Sequence, residues 1–184
     1  MILKRRWNPS YNQERISVMK IVVDAFGGDN APDEVVKGAV EAVKEYGVTV
    51  VLSGDTKKLD ECFTKLGLSK DNIEYAEADG VIEIEDDPKQ ILKEKKNSSM
   101  GVALTMVAEG KADAMVSAGS TAALVMGGTL IVKRIKGVKR PSLTPVMPGV
   151  DNMYILLDGG ANVDCRPDML RQFAVMGSIY MNRV

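Results

Sequence analysis

A three-layer α/β/α fold on a mostly parallel sheet is what this sequence predicts, and three observations carry the prediction. Short apolar runs alternate with longer amphipathic ones from Met19 onward. Parallel strands need right-handed crossovers, and such crossovers lay helices over both faces of a sheet. The third is bulk: 184 residues, 45% of them hydrophobic, suffice to bury a core.

Taken in order, residues 1–18 (MILKRRWNPSYNQERISV) set Lys4, Arg5, Arg6 and Arg15 against Glu14 with no sustained period. They are expected to form a flexible basic tail, and Met19 stands where a natural start could lie. Residues 19–184 are then expected to form one domain. KIVVDA (20–25) reads as a strand. After Pro32, a residue suited to a helix's first turn, Val36, Ala39, Val40 and Val43 recur at helical spacing. VTVVLSG (48–54) repeats the strand pattern, 55–66 reads as a helix, and IEYAEA (73–78) as a third strand. Helices are predicted from about Pro88 and from Ser98 or Ser99 to Glu109, the latter burying Val102, Met106 and Val107. DAMVSA (113–118) is the next strand, and a helix should run from about Ser120 to Ile135. SLTPVM (142–147) and MYILLD (153–158) read as a strand pair turning at Pro148 and Gly149, before a last helix from Pro167. That helix reaches Val184 without a glycine cap, while Phe173, Met176, Ile179 and Tyr180 present an apolar stripe, so a truncated chain is expected.

Composition excludes several functions. The 24 basic and 25 acidic side chains nearly cancel, so no broad positive field favours nucleic acid. No apolar run is long enough to span a bilayer and no signal peptide precedes the globular pattern. Cys62 and Cys165 are too few for a disulfide framework, and a cytoplasmic protein is the expectation. Histidine is absent. That removes Ser-His-Asp and Cys-His relays, histidine-ligated zinc and the His-Asp acyltransferase box. Chemistry here must start from a nucleophile that is already anionic, or from a base other than histidine, and no cofactor or metal is expected.

In open α/β sheets ligands bind beyond the carboxyl ends of the strands, so the turns leaving strands are the informative ones. DAFGGDNAP (24–32) carries Gly27 and Gly28, which permit a sharp turn, flanked by Asp24 and Asp29. Asp29 or Asn30 either caps the following helix or meets substrate. The turn Ser117-Ala118-Gly119-Ser120-Thr121 has no carboxylate of its own and opens a helix whose unpaired N–H groups favour an anion. Ser120 or Thr121 could equally be a plain helix cap. KEKKNSSM (93–100) puts Lys95 and Lys96 beside Ser98 and Ser99 at a helix start: point charges for a phosphate, or a solvated face. LLDGGANVDC (156–165) leaves a strand through Gly159, Gly160, Asn162 and Asp164, an exit suited to substrate contact or to tight packing; Cys165 would be an acyl-accepting thiol only with a partner to lower its pKa, and neither a histidine nor an evident cation offers one.

Together, DAFGGDNAPDEVVKGA, KKNSSMGVAL, VSAGSTAALVMGGTLIVKRIKGVKRP and LLDGGANVDCRPDMLRQFAVMGSIY resemble the PlsX family of acyl-acyl-carrier-protein:phosphate acyltransferases, almost continuously over residues 19–184. The chain departs from the usual family pattern at Phe26, Ser120, Ala122 and Gly159. The resemblance implies a fold similar to phosphotransacetylases and to isocitrate and isopropylmalate dehydrogenases. It implies transfer of a fatty acyl group from acyl carrier protein to inorganic phosphate, giving an acyl phosphate for phospholipid synthesis. It also implies a homodimer, peripheral association with the membrane and a membrane acyltransferase as downstream partner. Substrate or phosphate would be held by Ser117, Gly119, Ser120 and Thr121, by Lys95, Lys96, Ser98 and Ser99, by Asp24, Gly27, Gly28, Asp29 and Asn30, and by Asn162 and Asp164. Two other readings stay open: a nicotinamide-dependent oxidoreductase, against which the spaced Gly-x-Gly-x-x-Gly fingerprint is missing, and an inactive dimerisation module.

Overall fold

The computed structural model describes residues 19–183, so the basic tail expected over 1–18 lies outside the described residues. Contacts divide the chain between Lys133 and Arg134 into two compact units.

The larger unit holds a four-stranded sheet of β1 (Lys20–Asp24), β2 (Thr49–Gly54), β3 (Ile73–Glu77) and β4 (Ala114–Val116) in the order β3-β2-β1-β4. All three pairings are parallel, and the register sets Asp24 beside Ser53 and Val23 beside Val116. Because successive side chains leave a strand on opposite faces, each strand serves two cores. Val22, Val51 and Met115 join Met100, Ala103, Leu104 and Val107 of α3 (Ser99–Glu109) on one face. Val23, Val50 and Leu52 join α1 (Asp33–Tyr46) and α2 (Thr56–Leu66) on the other, through Val36, Val40, Leu59 and Phe63. Truncating the fully buried Phe63 to alanine would cost about 3–5 kcal/mol. The three layers follow from that double burial.

Local signals set most helix ends. Asp55 caps α2 by accepting from the N–H groups of Lys57 and Lys58, and Gly47, Gly67 and Gly110 close α1, α2 and α3 in the left-handed conformation. Three expectations need correction. Neither Asp29 nor Asn30 caps α1; Pro32 occupies the cap position, which has no side-chain hydrogen bond. The helix expected from Pro88 is a 3₁₀ stretch, Pro88–Leu92. The helix expected from Ser120 to Ile135 is α-helical only over α4 (Thr121–Gly127) and continues as a π-helical turn, Gly128–Lys133. Gly127, the last residue of α4, sits close against α3: a Cβ there would lie 2.3 Å from Leu104 Cδ1.

The smaller unit pairs β5 (Val146–Met147) antiparallel with β6 (Tyr154–Ile155) and adds α5 (Pro167–Met181). Gly177 lets α5 lie against the hairpin strand, since a Cβ would come within 2.8 Å of Leu157 Cδ1. Of the stripe read on α5, Phe173 is buried, whereas Ile179 and Tyr180 are exposed.

Candidate functional site

The strand order turns back between β1 and β4: β2 and β3 extend to one side of β1, and the chain then returns to β4 on the other. This is the topological switch point, where the loops leaving adjacent strands diverge and open a crevice at their carboxyl ends. Those loops are the Asp24–Gly28 and Ser117–Thr121 turns.

Their contact is intimate. Ser117 Oγ donates to Asp24 Oδ2 at 2.8 Å and accepts from the Gly119 N–H at 3.1 Å. Gly27 and Gly119 face each other closely enough that a Cβ on Gly119 would lie 3.2 Å from Gly27 Cα. A Cβ on Gly27 would lie 2.4 Å from Asp24 Oδ2 and 3.0 Å from the Gly119 nitrogen. Gly28, at φ +106°, turns the chain beside Ala118 in a conformation that side-chain-bearing residues rarely adopt. Asp24 is 1% exposed, and its Oδ1 has no hydrogen-bond partner among the described residues.

This geometry corrects the picture of a carboxylate-free cradle. The turn after β4 contains no acid in sequence, yet the fold presses the Asp24 carboxylate against it, and the Gly119 amide is spent on Ser117. What remains beside the crevice is Thr121 and the first amides of α4. Ser120 is buried and caps α4 through Ala123 N at 3.4 Å, and Thr121 is exposed.

The third stretch comes to the same end of the sheet. Ser98 caps α3 by accepting from the Gly101 N–H at 3.3 Å, and Ser99 N donates to the Gly80 carbonyl. Ser99 is fully buried with its Oγ unpartnered among the described residues, and the Met100 methyl would lie 3.2 Å from a Cβ on Gly119. Ser53 is the residue that sequence reasoning missed. Buried at the end of β2, its hydroxyl lies 2.8 Å from the Ser99 carbonyl and 3.1 Å from that of Val23, tying the start of α3 to the strand ends. The signal was a serine closing an otherwise apolar strand, in register with Asp24.

Lys95 is not a free point charge. Its ammonium pairs with Asp86 and donates to the Val81 carbonyl at 2.9 Å, and this partner holds the Asp86 carboxyl below its ordinary range. Lys96 is exposed, as are Asp29 and Asn30. In the smaller unit, Asn162 Nδ2 donates to the Pro141 carbonyl at 3.2 Å and Asp164 is exposed. Cys165 Sγ donates to Asp158 Oδ2 at 3.1 Å; that carboxylate, with burial and Asp164 acting the same way, holds the thiol above its ordinary pKa. A protonated thiol is a poor nucleophile.

A family model described as "Fatty acid synthesis protein" matches residues 19–184, through all of these turns. The chain belongs to this family. Curated members of the fatty acid synthesis protein family that it resembles include phosphate acyltransferases of Clostridioides difficile, 47% identical over 90% of this chain, and of Clostridium acetobutylicum, 46% identical over 90%. The chain spans about half the length of these relatives, 49% and 50% respectively. The PlsX resemblance of the motifs is therefore family membership. Among solved structures, a phosphotransacetylase from Streptococcus pyogenes superposes with a TM-score of 0.64 at 22% identity, over 89% of this chain and 54% of that one. The EutD phosphotransacetylase from Staphylococcus aureus gives 0.64 at 26%, over 89% and 53%. Both show the same three-layer fold.

Proposed function

We propose that this chain belongs to an acyltransferase that moves a fatty acyl group from an acyl carrier protein thioester to inorganic phosphate, releasing an acyl phosphate for phospholipid synthesis. The observation that carries the reading is the 47% identity to a phosphate acyltransferase across 167 residues, a stretch that includes the whole switch-point crevice.

The chemistry suits a chain without histidine. Inorganic phosphate is already anionic at neutral pH, so it needs positioning more than a general base. One phosphate oxygen attacks the thioester carbonyl carbon, the carbonyl electrons move to oxygen, and collapse of the adduct breaks the C–S bond. The departing thiolate has a pKa of about 8.5 and takes its proton from water. The first amides of α4, the Thr121 hydroxyl and the exposed Lys96 ammonium are the groups offered to the anions, while Asp24, Ser117, Gly27 and Gly119 fix the crevice wall. The protein would work as a homodimer at the cytoplasmic membrane face, handing product to a membrane acyltransferase. No helix among the described residues is long and apolar enough to cross a membrane.

The test is formation of acyl phosphate from palmitoyl-acyl carrier protein and inorganic phosphate, by this chain and by one extended past Val184. Product from neither, or thermal stabilisation by NAD and not by phosphate, overturns the reading.

A further inference from the structure

The loop Arg134–Arg140, RIKGVKR, holds four cationic side chains and no acid in seven residues. We propose that it docks an acidic protein surface; identifying that surface as the acyl carrier rests on the function proposed above.

The loop is built rather than loose. Gln172 of α5 grips it twice, accepting from the Lys139 N–H at 3.0 Å and donating to the Gly137 carbonyl at 2.9 Å. Val138 N closes the turn onto the Ile135 carbonyl at 3.0 Å. Two of the cations serve this scaffold: Arg134 donates to the Lys139 carbonyl, and the Lys139 ammonium pairs with Asp168. Lys136 and Arg140 are exposed and have no hydrogen bond or ion pair among the described residues. Between the charges stands Ile135, 75% exposed. An exposed apolar side chain next to the uncommitted Lys136, with Arg140 uncommitted on the same pinned loop, suits a helix that presents carboxylates around an apolar contact.

Charge is unevenly distributed along the chain. Residues 134–184 carry seven Lys and Arg against four Asp, whereas residues 19–133 carry thirteen against twenty acids. An acidic partner is therefore repelled by most of the chain and attracted here, which orients the encounter as well as favouring it. A lipid surface is the weaker match: recognition of anionic bilayers takes clusters of about 4–8 basic residues, and two of the four here are already engaged, Arg134 by the Lys139 carbonyl and Lys139 by Asp168 of α5.

The experiment compares the full chain with its Lys136→Glu/Arg140→Glu variant, using palmitoyl-acyl carrier protein and palmitoyl-coenzyme A as alternative acyl donors. The variant should raise KM for the carrier donor by about tenfold. Its kcat, its KM for phosphate and its use of the coenzyme A donor should stay unchanged. Carrier binding by calorimetry should also lose most of its salt dependence. An unchanged KM for the carrier overturns the proposal, and so does loss of binding to phosphatidylglycerol vesicles with carrier kinetics intact. If the charge reversal unfolds the protein, Lys136→Gln/Arg140→Gln carries the same comparison. Should neither the unaltered chain nor its form extended past Val184 make acyl phosphate from either donor, the proposed function fails, and calorimetry with the carrier alone still decides the docking surface.

Discussion

Ser117 and Asp24, ninety-three residues apart, meet at 2.8 Å where β4 and β1 end. The bond joins the two turns that bound the switch-point crevice, and it leaves Asp24 Oδ1 buried without a partner. Removing Ser117 would strip the carboxylate of its remaining donor among the described residues. Ser117→Ala should therefore lower stability by about 1–3 kcal/mol, the cost of an unsatisfied buried polar group. Denaturant unfolding checks this. In a cycle with Asp24→Asn, the double variant should lose less than the sum of the two single losses; simple additivity would mean the bond does not couple the turns.

Two glycines should answer oppositely to the same change. Gly27→Ala puts a methyl 2.4 Å from Asp24 Oδ2 and 3.0 Å from the Gly119 nitrogen, so the carboxylate that Ser117 binds must shift, and acyl phosphate formation should fall by tenfold or more, about 1.4 kcal/mol of lost positioning. Gly38 lies inside α1 with nothing within 4 Å of a new Cβ. Gly38→Ala should raise stability by about 0.5–1 kcal/mol with activity unchanged. Thermal melts and initial rates on both variants decide the point.

Much of this fold was legible in the sequence, because strands buried on both faces and crossover helices write their periods directly into the residue pattern. Val36, Ala39, Val40 and Val43 fell on the buried face of α1 as their spacing required. The site was less legible because its chemistry depends on neighbours distant in sequence. The Ser117–Thr121 turn is free of acid as a string and lies against Asp24 in space. Lys95 resembles a phosphate ligand beside Ser98 until Asp86, nine residues earlier, takes its charge. The change of α4 to a π-helical turn at Gly128 comes next to the close approach of Gly127 to Leu104 of α3, a contact distant in sequence that local propensity does not encode.

The Asp86–Lys95 pair makes a pH prediction. Lys95, and secondarily the Glu83 N–H, holds the Asp86 carboxyl below its ordinary value. A carboxyl depressed in the folded state contributes stability above its unfolded pKa, about 3.9, and loses that contribution as pH falls through the folded value. Asp86→Asn should be less stable than the parent at pH 7, and the gap should narrow as pH falls from the unfolded value of about 3.9 through the lower folded one. Urea melts at pH 7 and across that acid range measure it. A gap that persists in acid would mean that packing, not the charge pair, makes the contribution.

Thr121 and Cys165 discriminate between direct and covalent acyl transfer. Thr121→Ala removes an exposed hydroxyl at the crevice without touching the Ser120 cap, so it should raise KM for phosphate with stability little changed. Cys165→Ala should leave the kinetics unaltered, because Asp158 keeps the thiol protonated. The same carboxylate can be read directly: Asp158→Asn removes the largest influence raising the thiol's pKa, increases the thiolate fraction near pH 8, and should speed alkylation of Cys165 by iodoacetamide. Mass spectrometry separates Cys165 from the buried Cys62. A Cys165→Ala variant that cannot form acyl phosphate would replace phosphate attack on the carrier thioester with an acyl-cysteine intermediate.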